Sequence, residues 1–222
     1  MAEKPLSRFP VPELEEMPED IRAQLVAVQA QTGFIPNVFV VLAHRPAEFR
    51  AFMAYYQALM EKDEGLTKAE REMIVVATSA ANACPYCVIA HGAILRIRSR
   101  QPFLADQLTV NYRQADISPR QRLLLDFALK VSQEAEVLEE ADFARLREAG
   151  FDEDEIWDMG AIAALFALSN RMAALTAMWP NEEFYTLGRG KEERGKKEEG
   201  RRVSTKGAKG TKKKGKVGSG SG

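Results

Sequence analysis

Residues 72–95 read EMIVVATSAANACPYCVIAHGAIL. The first half of this stretch is rich in Ala, Val and Ile, which predicts a helix that is buried on most of its sides. Asn82 and Ala83 interrupt the run, and Pro85 then suits the first turn of a second helix that continues to about Arg98. The stretch therefore predicts two consecutive helices joined by a short turn, with both cysteines of the chain at the start of the second helix.

The rest of the sequence predicts further helices and no convincing strand. Apolar residues recur at helical spacing, and Pro or Gly residues separate the runs. Pro46 and Pro119 suit first helical positions, and Thr67 with Glu70 forms a capping-box pattern. We therefore expect residues 1–187 to form one all-α domain, a compact multi-helix bundle. The predicted helices cover residues 19–31, 38–43, 46–59, 68–81, 85–98, 101–113, 119–131, 139–149 and 152–179.

Charge divides the chain into an acidic body and a basic tail. From Gly188 onward, thirteen Lys or Arg and four Glu give a net charge of +9, whereas residues 1–187 carry −10. The tail, residues 188–222, has too few apolar residues to bury, so we expect it to be disordered. It has no aromatic residue for base stacking, so a solvated extension is favoured over nucleic-acid binding, and any such contact is expected to be weak.

The sequence also predicts a cellular compartment. It shows no apolar run of transmembrane length, and its amino terminus lacks the basic-then-apolar layout of a signal peptide. We therefore expect a cytoplasmic protein with no membrane partner. In that compartment a Cys-x-x-Cys pair is more often catalytic or metal-binding than a structural disulfide.

The cysteine pair and one histidine indicate redox chemistry. Cys84 and Cys87 are three residues apart, and His91 follows Cys87 by four residues, on the same helix face. Such thiols can form a disulfide within one turn, and a helix amino terminus and an imidazole both favour the thiolate. Glu72 on the preceding helix is a candidate to orient that imidazole. Spacing alone leaves open that residues 70–72 are simply an exposed, charged first turn.

These residues carry a family resemblance. Glu72, followed after eleven residues by Cys84-x-x-Cys87-x-x-x-His91, resembles the alkyl hydroperoxidase D-like branch of the carboxymuconolactone decarboxylase-like proteins, and most closely its peroxidase-related members. Residues 33–37 and 170–171 are similar to the flanking pattern of that branch, so the resemblance spans most of residues 10–187. It implies an all-helical fold, a homo-oligomer (commonly a trimer or hexamer) and a thiol peroxidase that needs no cofactor and no metal.

The resemblance also implies roles and partners. Cys87 would react with the hydroperoxide, Cys84 would resolve the product, and His91 and Glu72 would relay protons. The best-known members have a second histidine just before the second cysteine, where this chain has Tyr86, a poor proton acceptor near neutral pH. In many Cys-x-x-Cys sites the first cysteine is the nucleophile, so the reverse assignment stays open. The expected partners are a hydroperoxide substrate and a dithiol reductant protein or lipoyl-type donor.

Three other interpretations of the cysteine pair use different chemistry. Cys-Pro-Tyr-Cys is also the tetrapeptide of glutaredoxins, but there it follows a strand, and a helix is predicted here. A zinc site would take Cys84, Cys87 and His91 with Glu72, a water molecule or His44 as the fourth ligand, and three ligands so close on one helix seldom give tetrahedral geometry. The two cysteines can also be small buried hydrophobes with no chemical role.

A further alternative is a non-catalytic helical oligomer that senses redox state or binds a partner. Catalytic turnover with a dithiol reductant separates this alternative from an enzyme. Decarboxylation of a lactone, another activity of the wider family, is not expected because those members do not use a cysteine pair.

Several residues outside the motif also carry predictions. Asn170 and Arg171 lie inside a long apolar helix, where structural hydrogen bonding is favoured over a role lining the site. The larger aromatic residues of the carboxyl-terminal half are expected to be core and interface side chains, namely Phe151, Trp157, Phe166, Trp179 and Phe184.

Overall fold

The computed structural model describes residues 5–189. Within this range the chain forms helices and no strands, which confirms the predicted all-α fold. The predicted tail lies outside the described residues from position 190 onward, so its separation from the helical domain stays a prediction. The α-helices are α1 (Glu19–Thr32), α2 (Asn37–Leu42), α3 (Pro46–Met60), α4 (Lys68–Ala81), α5 (Pro85–Ser99), α6 (Leu104–Asn111), α7 (Pro119–Gln133), α8 (Glu140–Glu148) and α9 (Glu153–Thr176).

The helix α4 lies at the centre of the bundle and packs against α5, α6, α7 and α9. Every residue from position 70 to position 79 is buried, as the apolar run predicts. Three charged residues of this helix, Glu70, Arg71 and Glu72, are buried too, and the fully buried Arg71 is neutralised by Asp158, with 2.8 Å between Nη1 and Oδ2. Glu70, Arg71 and Glu72 are therefore not an exposed charged turn.

Capping residues set where the helices begin. Thr67 and Glu70 form the predicted capping box at the start of α4, and Pro46, Pro85 and Pro119 occupy the first turns of α3, α5 and α7. These caps satisfy or remove amide groups that a helix leaves unpaired at its amino end.

A tight turn connects α4 to α5 and brings their residues face to face. Ala83 adopts a left-handed conformation with φ of 50°, and the amide of Cys84 donates a 3.0 Å hydrogen bond to the carbonyl of Ser79. The two helices consequently run back along each other, and a residue near the start of α4 reaches the middle of α5.

The last helix differs from its prediction in two respects. It ends at Thr176, three residues before the predicted end, because Ala177 takes a left-handed conformation. Among the described helices, α9 alone is long and apolar enough to cross a membrane by length and composition, so the prediction that no such stretch exists was wrong. In this fold α9 packs against α3, α4 and α7 as a helix of the bundle.

Candidate active site

The cysteine pair lies at the amino end of α5. Cys84 is the N-cap residue, and its sulfur accepts a 3.4 Å hydrogen bond from the backbone amide of Cys87. Both cysteines are free thiols, and both side chains are buried, at 4% and 2% exposure. The sulfur of Cys84 therefore lies where the unpaired amides and the dipole of the helix favour a negative charge.

The two thiols differ in acidity. A hydrogen bond from the Cys87 thiol, with smaller contributions from the Cys87 amide, the Asn170 side chain and the charge of His91, lowers the pKa of Cys84 to about 7 although burial opposes it. The pKa of Cys87 is raised, because its thiol donates to Cys84 and because it is buried. The pair thus favours a thiolate on Cys84 with Cys87 still protonated.

An imidazole on α5 and a carboxylate on α4 lie together one turn after the cysteine pair along α5. His91 Nδ1 is 2.7 Å from Oε2 of Glu72, whose side chain is completely buried. A carboxylate can only accept, so Nδ1 carries the hydrogen and Nε2 is the nitrogen able to take up a proton. The rings of His91 and Phe166 pack in a T-shaped contact with 4.7 Å between their centroids, and this packing helps fix the orientation of the imidazole.

Arg98 completes this group from the carboxyl-terminal half of α5. Its Nη1 atom lies 3.4 Å from Oε1 of Glu72, and its Nη2 atom donates a 2.5 Å hydrogen bond to Glu61 at the surface. Burial works against the charge of Arg98, but the two carboxylates raise its pKa above the ordinary value. Glu72 is therefore a buried carboxylate with a cationic partner on one oxygen and an imidazole on the other.

The helix α9 supplies polar groups on the other side of the thiols. Asn170 is buried, donates a 2.9 Å hydrogen bond to Ser79 and accepts one of 2.9 Å from Asn82. Its neighbour Ser169 lies with its hydroxyl 3.8 Å from the sulfur of Cys87. Asn170 therefore bonds structurally, as predicted, and also acts on the thiols, which a purely structural assignment did not include.

Tyr86, between the cysteines, has a partner of its own. Its hydroxyl accepts a 3.0 Å hydrogen bond from the amide of Val38 in the first turn of α2, and burial raises its pKa. The preceding amide, that of Asn37, donates to the side chain of Asn181 at 2.8 Å. Tyr86 thus satisfies one of the unpaired amides of α2 and remains a protonated phenol.

Two spaces approach the thiol pair from different directions. A cavity of about 430 Å³ is lined by Cys84 itself together with Arg8, Tyr86, Asn170 and Trp179. A larger apolar groove of about 680 Å³ runs between α2, α3 and α9, and is lined by residues that include Phe52, Tyr55, Leu168, Ser169 and Leu175. The groove reaches the site at Ser169, next to Cys87, whereas the cavity reaches Cys84 directly.

By connecting α4 to α5, the structure pairs Cys84 with Cys87 and His91 with Glu72, and the charge of His91 acts on Cys84. Sequence analysis missed Arg98 and Ser169. A serine next to Asn170 in an apolar helix is a signal that sequence analysis could have used, whereas Arg98 resembles any basic residue near the end of a helix.

Other predicted positions lie apart from the site or differ from expectation. His44 is exposed at the junction of α2 and α3. Phe151, Phe166 and Phe184 are buried as predicted. Trp157 and Trp179 are 73% and 45% exposed, so neither is a core residue and their place at an interface stays a prediction. Among residues 5–189, no group of three or more His, Cys, Asp or Glu side chains is arranged to hold a metal ion.

Fold and site together define an all-helical protein with a paired-thiol centre. Residues 46–100 match the model of the carboxymuconolactone decarboxylase family. The structure is similar to the alkylhydroperoxidase AhpD core of a peroxidase-related protein from Ralstonia eutropha JMP134, with 61% identity over 85% of this chain and 99% of that one and a TM-score of 0.83. A peroxidase-related protein from Silicibacter sp. TM1040 is similar at 38% identity, with the same coverage and a TM-score of 0.80.

The chain therefore belongs to the carboxymuconolactone decarboxylase family, in its alkyl hydroperoxidase D-like, peroxidase-related branch. The names of the family and of this branch are those of enzymes. The debrominase Bmp8 shares the fold at 17% identity, over 82% of this chain and 95% of that one, with a TM-score of 0.67. No curated protein matches the chain.

Proposed function

We propose that this protein is a cofactor-free thiol peroxidase that reduces a hydroperoxide with the Cys84–Cys87 pair and is reduced in turn by a dithiol. The observation that carries the proposal is a pair of free thiols, one with a pKa of about 7, on the same helix as the part-buried His91 imidazole, which bonds the buried Glu72 carboxylate. Membership of the peroxidase-related branch supports the same chemistry.

The reaction needs no group beyond these residues and the two substrates. A thiolate sulfur attacks the distal oxygen of the hydroperoxide, the O–O bond breaks, and the departing alkoxide takes a proton from the His91 imidazolium, which leaves a sulfenic acid and an alcohol. The second thiol then attacks the sulfenic sulfur, and water leaves as the disulfide forms. A dithiol donor reduces this disulfide by two exchange steps and becomes oxidised itself.

The acidities support Cys84 as the attacking thiol and Cys87 as the resolving thiol. This assignment is the reverse of the roles that the family resemblance implies, and it matches the alternative in which the first cysteine is the nucleophile. Cys84 has the lowered pKa and lines the 430 Å³ cavity, whereas Cys87 has the raised pKa. We infer that the same cavity admits the reductant, a dithiol protein or a lipoyl-type donor in the cytoplasm.

Counting free thiols tests the proposal directly. Fully reduced protein is treated with one equivalent of tert-butyl hydroperoxide, in parallel with the Cys84→Ser and Cys87→Ser variants. We expect rapid loss of both thiols in the parent, and formation of a sulfenic acid only where Cys84 is present. Reaction only where Cys87 is present would reverse the roles, and thiols that persist for hours at micromolar peroxide would refute peroxidase activity.

Turnover separates an enzyme from the non-catalytic alternative. With dihydrolipoamide or dithiothreitol as donor, an enzyme consumes many equivalents of hydroperoxide per site, and the rate depends on the concentrations of both substrates. A redox sensor would undergo one oxidation and regain its thiols slowly. A single turnover with intact protein would favour the redox-sensing oligomer.

A further inference from the structure

The helix α9 exposes an apolar stripe along the outside of the bundle. Three large members of the stripe are well exposed, Trp157 at 73%, Leu168 at 53% and Leu175 at 52%. A helix with apolar residues on all sides normally has all sides covered. Within residues 5–189, the bundle covers only one side of α9. The stripe consists of the apolar residues Trp157, Ala161, Ala164, Leu168 and Leu175, with one charged residue, Arg171, between the last two.

The spacing of the stripe is the spacing of a helix–helix seam. Successive members are separated by four, three, four, three and four residues. This alternation keeps one line of side chains facing a partner helix in coiled-coil packing. Between its first and last members the stripe rises about 27 Å, at 1.5 Å per residue. A partner that covers it must present an equally long apolar helix.

We propose that the partner is α9 of a second copy of this chain, packed antiparallel across a two-fold axis near residue 166. In that register each pair of facing residues joins a smaller side chain on one helix to a larger one on the other, as close packing requires. The layers pair Ala164 with Leu168 of the second copy, Ala161 with the stem of Arg171 of the second copy, and Trp157 with Leu175 of the second copy.

Charge and size argue against the parallel alternative. A parallel pair would place each residue opposite itself, which brings Arg171 against Arg171 of the second copy, Trp157 against its equivalent, and Ala164 against alanine. Like charges at a buried seam are unfavourable, and the alanine layers would leave gaps. The antiparallel arrangement avoids both and also opposes the two helix dipoles. It fits a dimer or a hexamer, which contain two-fold axes, and does not fit an isolated trimer.

The pairing has a consequence for the site, and only this consequence rests on the proposed function. Leu168 and Leu175 also line the groove that ends at Ser169 beside Cys87. A second copy seated on the stripe covers that groove, so hydroperoxide and reductant approach from the Cys84 cavity. The association itself does not depend on which reaction the thiols perform.

The mass of the protein in solution tests the association. Light scattering after size exclusion compares the parent with Leu168→Glu and with the control Val110→Glu, whose apolar residue on α6 is 86% exposed and lies off the stripe. We expect the parent and the control to share one oligomeric mass, and Leu168→Glu to fall to half of it or less while keeping its helical circular dichroism. A monomeric parent, or an unchanged mass for Leu168→Glu, would refute the pairing.

Covalent capture tests the register without a charged substitution. In a Cys84→Ser/Cys87→Ser background, the double variant Ala164→Cys/Leu168→Cys is expected to form covalent dimers under mild oxidation. In the proposed register, the thiol at position 164 of one copy faces the thiol at position 168 of the other. Either single substitution is expected to remain uncrosslinked, and a mixture of the two to form the mixed dimer. If neither the double variant nor the mixture of the two single variants forms a covalent dimer, the register is refuted. A monomeric parent whose Leu168→Glu variant loses only affinity for bulky hydroperoxides would assign the groove to substrate instead.

Discussion

His91 Nδ1 lies 2.7 Å from Glu72 Oε2 across the contact between α5 and α4, and Arg98 Nη1 lies 3.4 Å from the other carboxylate oxygen. A completely buried carboxylate is costly unless its charge is compensated. Here Arg98 lies near one carboxylate oxygen and His91 bonds the other. The bond from Nδ1 to Glu72 holds the imidazole in one tautomer, with Nε2 available for a proton. The geometry is that of an imidazole base held in position by a carboxylate.

Replacing the carboxylate is expected to impair the thiol chemistry. In Glu72→Gln the amide can no longer stabilise a charged imidazole, and the rate of thiol oxidation by tert-butyl hydroperoxide is expected to fall by roughly 100-fold, the size of a general acid–base contribution. Stopped-flow measurement of thiol loss checks the rate. The matched control is Glu64→Gln, an exposed residue just before α4. Equal rates for parent and Glu72→Gln would contradict a role in proton transfer.

The pH dependence of the reaction should follow Cys84. Since the pKa of this thiol is lowered to about 7, its thiolate fraction rises as pH increases through 7 and is nearly complete by pH 8. Alkylation of Cys84 by iodoacetamide, followed by mass spectrometry, is expected to show its midpoint near pH 7. An ordinary thiol would show a midpoint near pH 8.5.

Asn170 provides a second test of the same thiol. Its side chain contributes to lowering the pKa of Cys84 by hydrogen bonding. In Asn170→Ala the alkylation midpoint is therefore expected to move to higher pH, so that less thiolate is present at neutral pH. Circular dichroism and the thermal midpoint report any separate loss of stability from the broken bonds to Ser79 and Asn82. A midpoint that stays near pH 7 would mean that Asn170 is structural only.

The helices themselves were predictable from sequence because local signals agree with the packing. The capping box of Thr67 and Glu70 and the three prolines at helix starts mark boundaries that depend on a few neighbouring residues. The end of α9 was not predictable in the same way. The helix ends where Ala177 turns left-handed, although alanine favours helix and the proline lies only at position 180.

The site was predictable only where its residues share a motif. Cys84, Cys87 and His91 lie on one helix, so spacing alone placed them together. Glu72 needed the turn between α4 and α5, and helical spacing could not decide whether it pointed inward. Arg98 and Ser169 join the site through tertiary packing of α5 and α9. Ser169 is marked only as a polar residue in an apolar helix, and no local pattern marks Arg98. The same limit applies to Trp157, for which the sequence could not decide between the core and an interface, and which the fold leaves on the surface.

The hydroxyl of Tyr86 is expected to stabilise the fold through α2. Its partner is the amide of Val38, and Tyr86→Phe leaves that part-buried amide without this acceptor. We expect a loss of about 1–2 kcal/mol in the free energy of unfolding, measured by urea denaturation. The control is Tyr55→Phe on α3, where the side chain is half exposed. An unfolding free energy equal to that of the parent would show that water replaces the hydroxyl at no cost.

The buried ion pair of Arg71 and Asp158 is expected to matter most for stability. Arg71 is completely buried, and it also donates to the carbonyls of Leu59 and Glu64, at 2.9 Å each. In Arg71→Met the two carbonyls lose their partner and the Asp158 carboxylate keeps only Lys62, whose Nζ lies 3.2 Å away. We therefore expect a loss of about 3 kcal/mol, the lower end of the usual cost of breaking one side of a buried pair. Guanidinium denaturation measures it.

A surface pair provides the comparison for that variant. Arg147 bonds Glu153 and Glu140 at short distances, but all three side chains are well exposed. Water screens such pairs and long side chains lose entropy in forming them, so Arg147→Ala is expected to shift the denaturation midpoint only slightly. Arg71→Met/Asp158→Leu removes both buried charges and is expected to recover part of the loss seen in Arg71→Met, because no buried carboxylate is then left with only the partly exposed Lys62 as its partner. If the double variant is no more stable than Arg71→Met, the loss comes from the missing packing and the carbonyl hydrogen bonds rather than from the charge of Asp158.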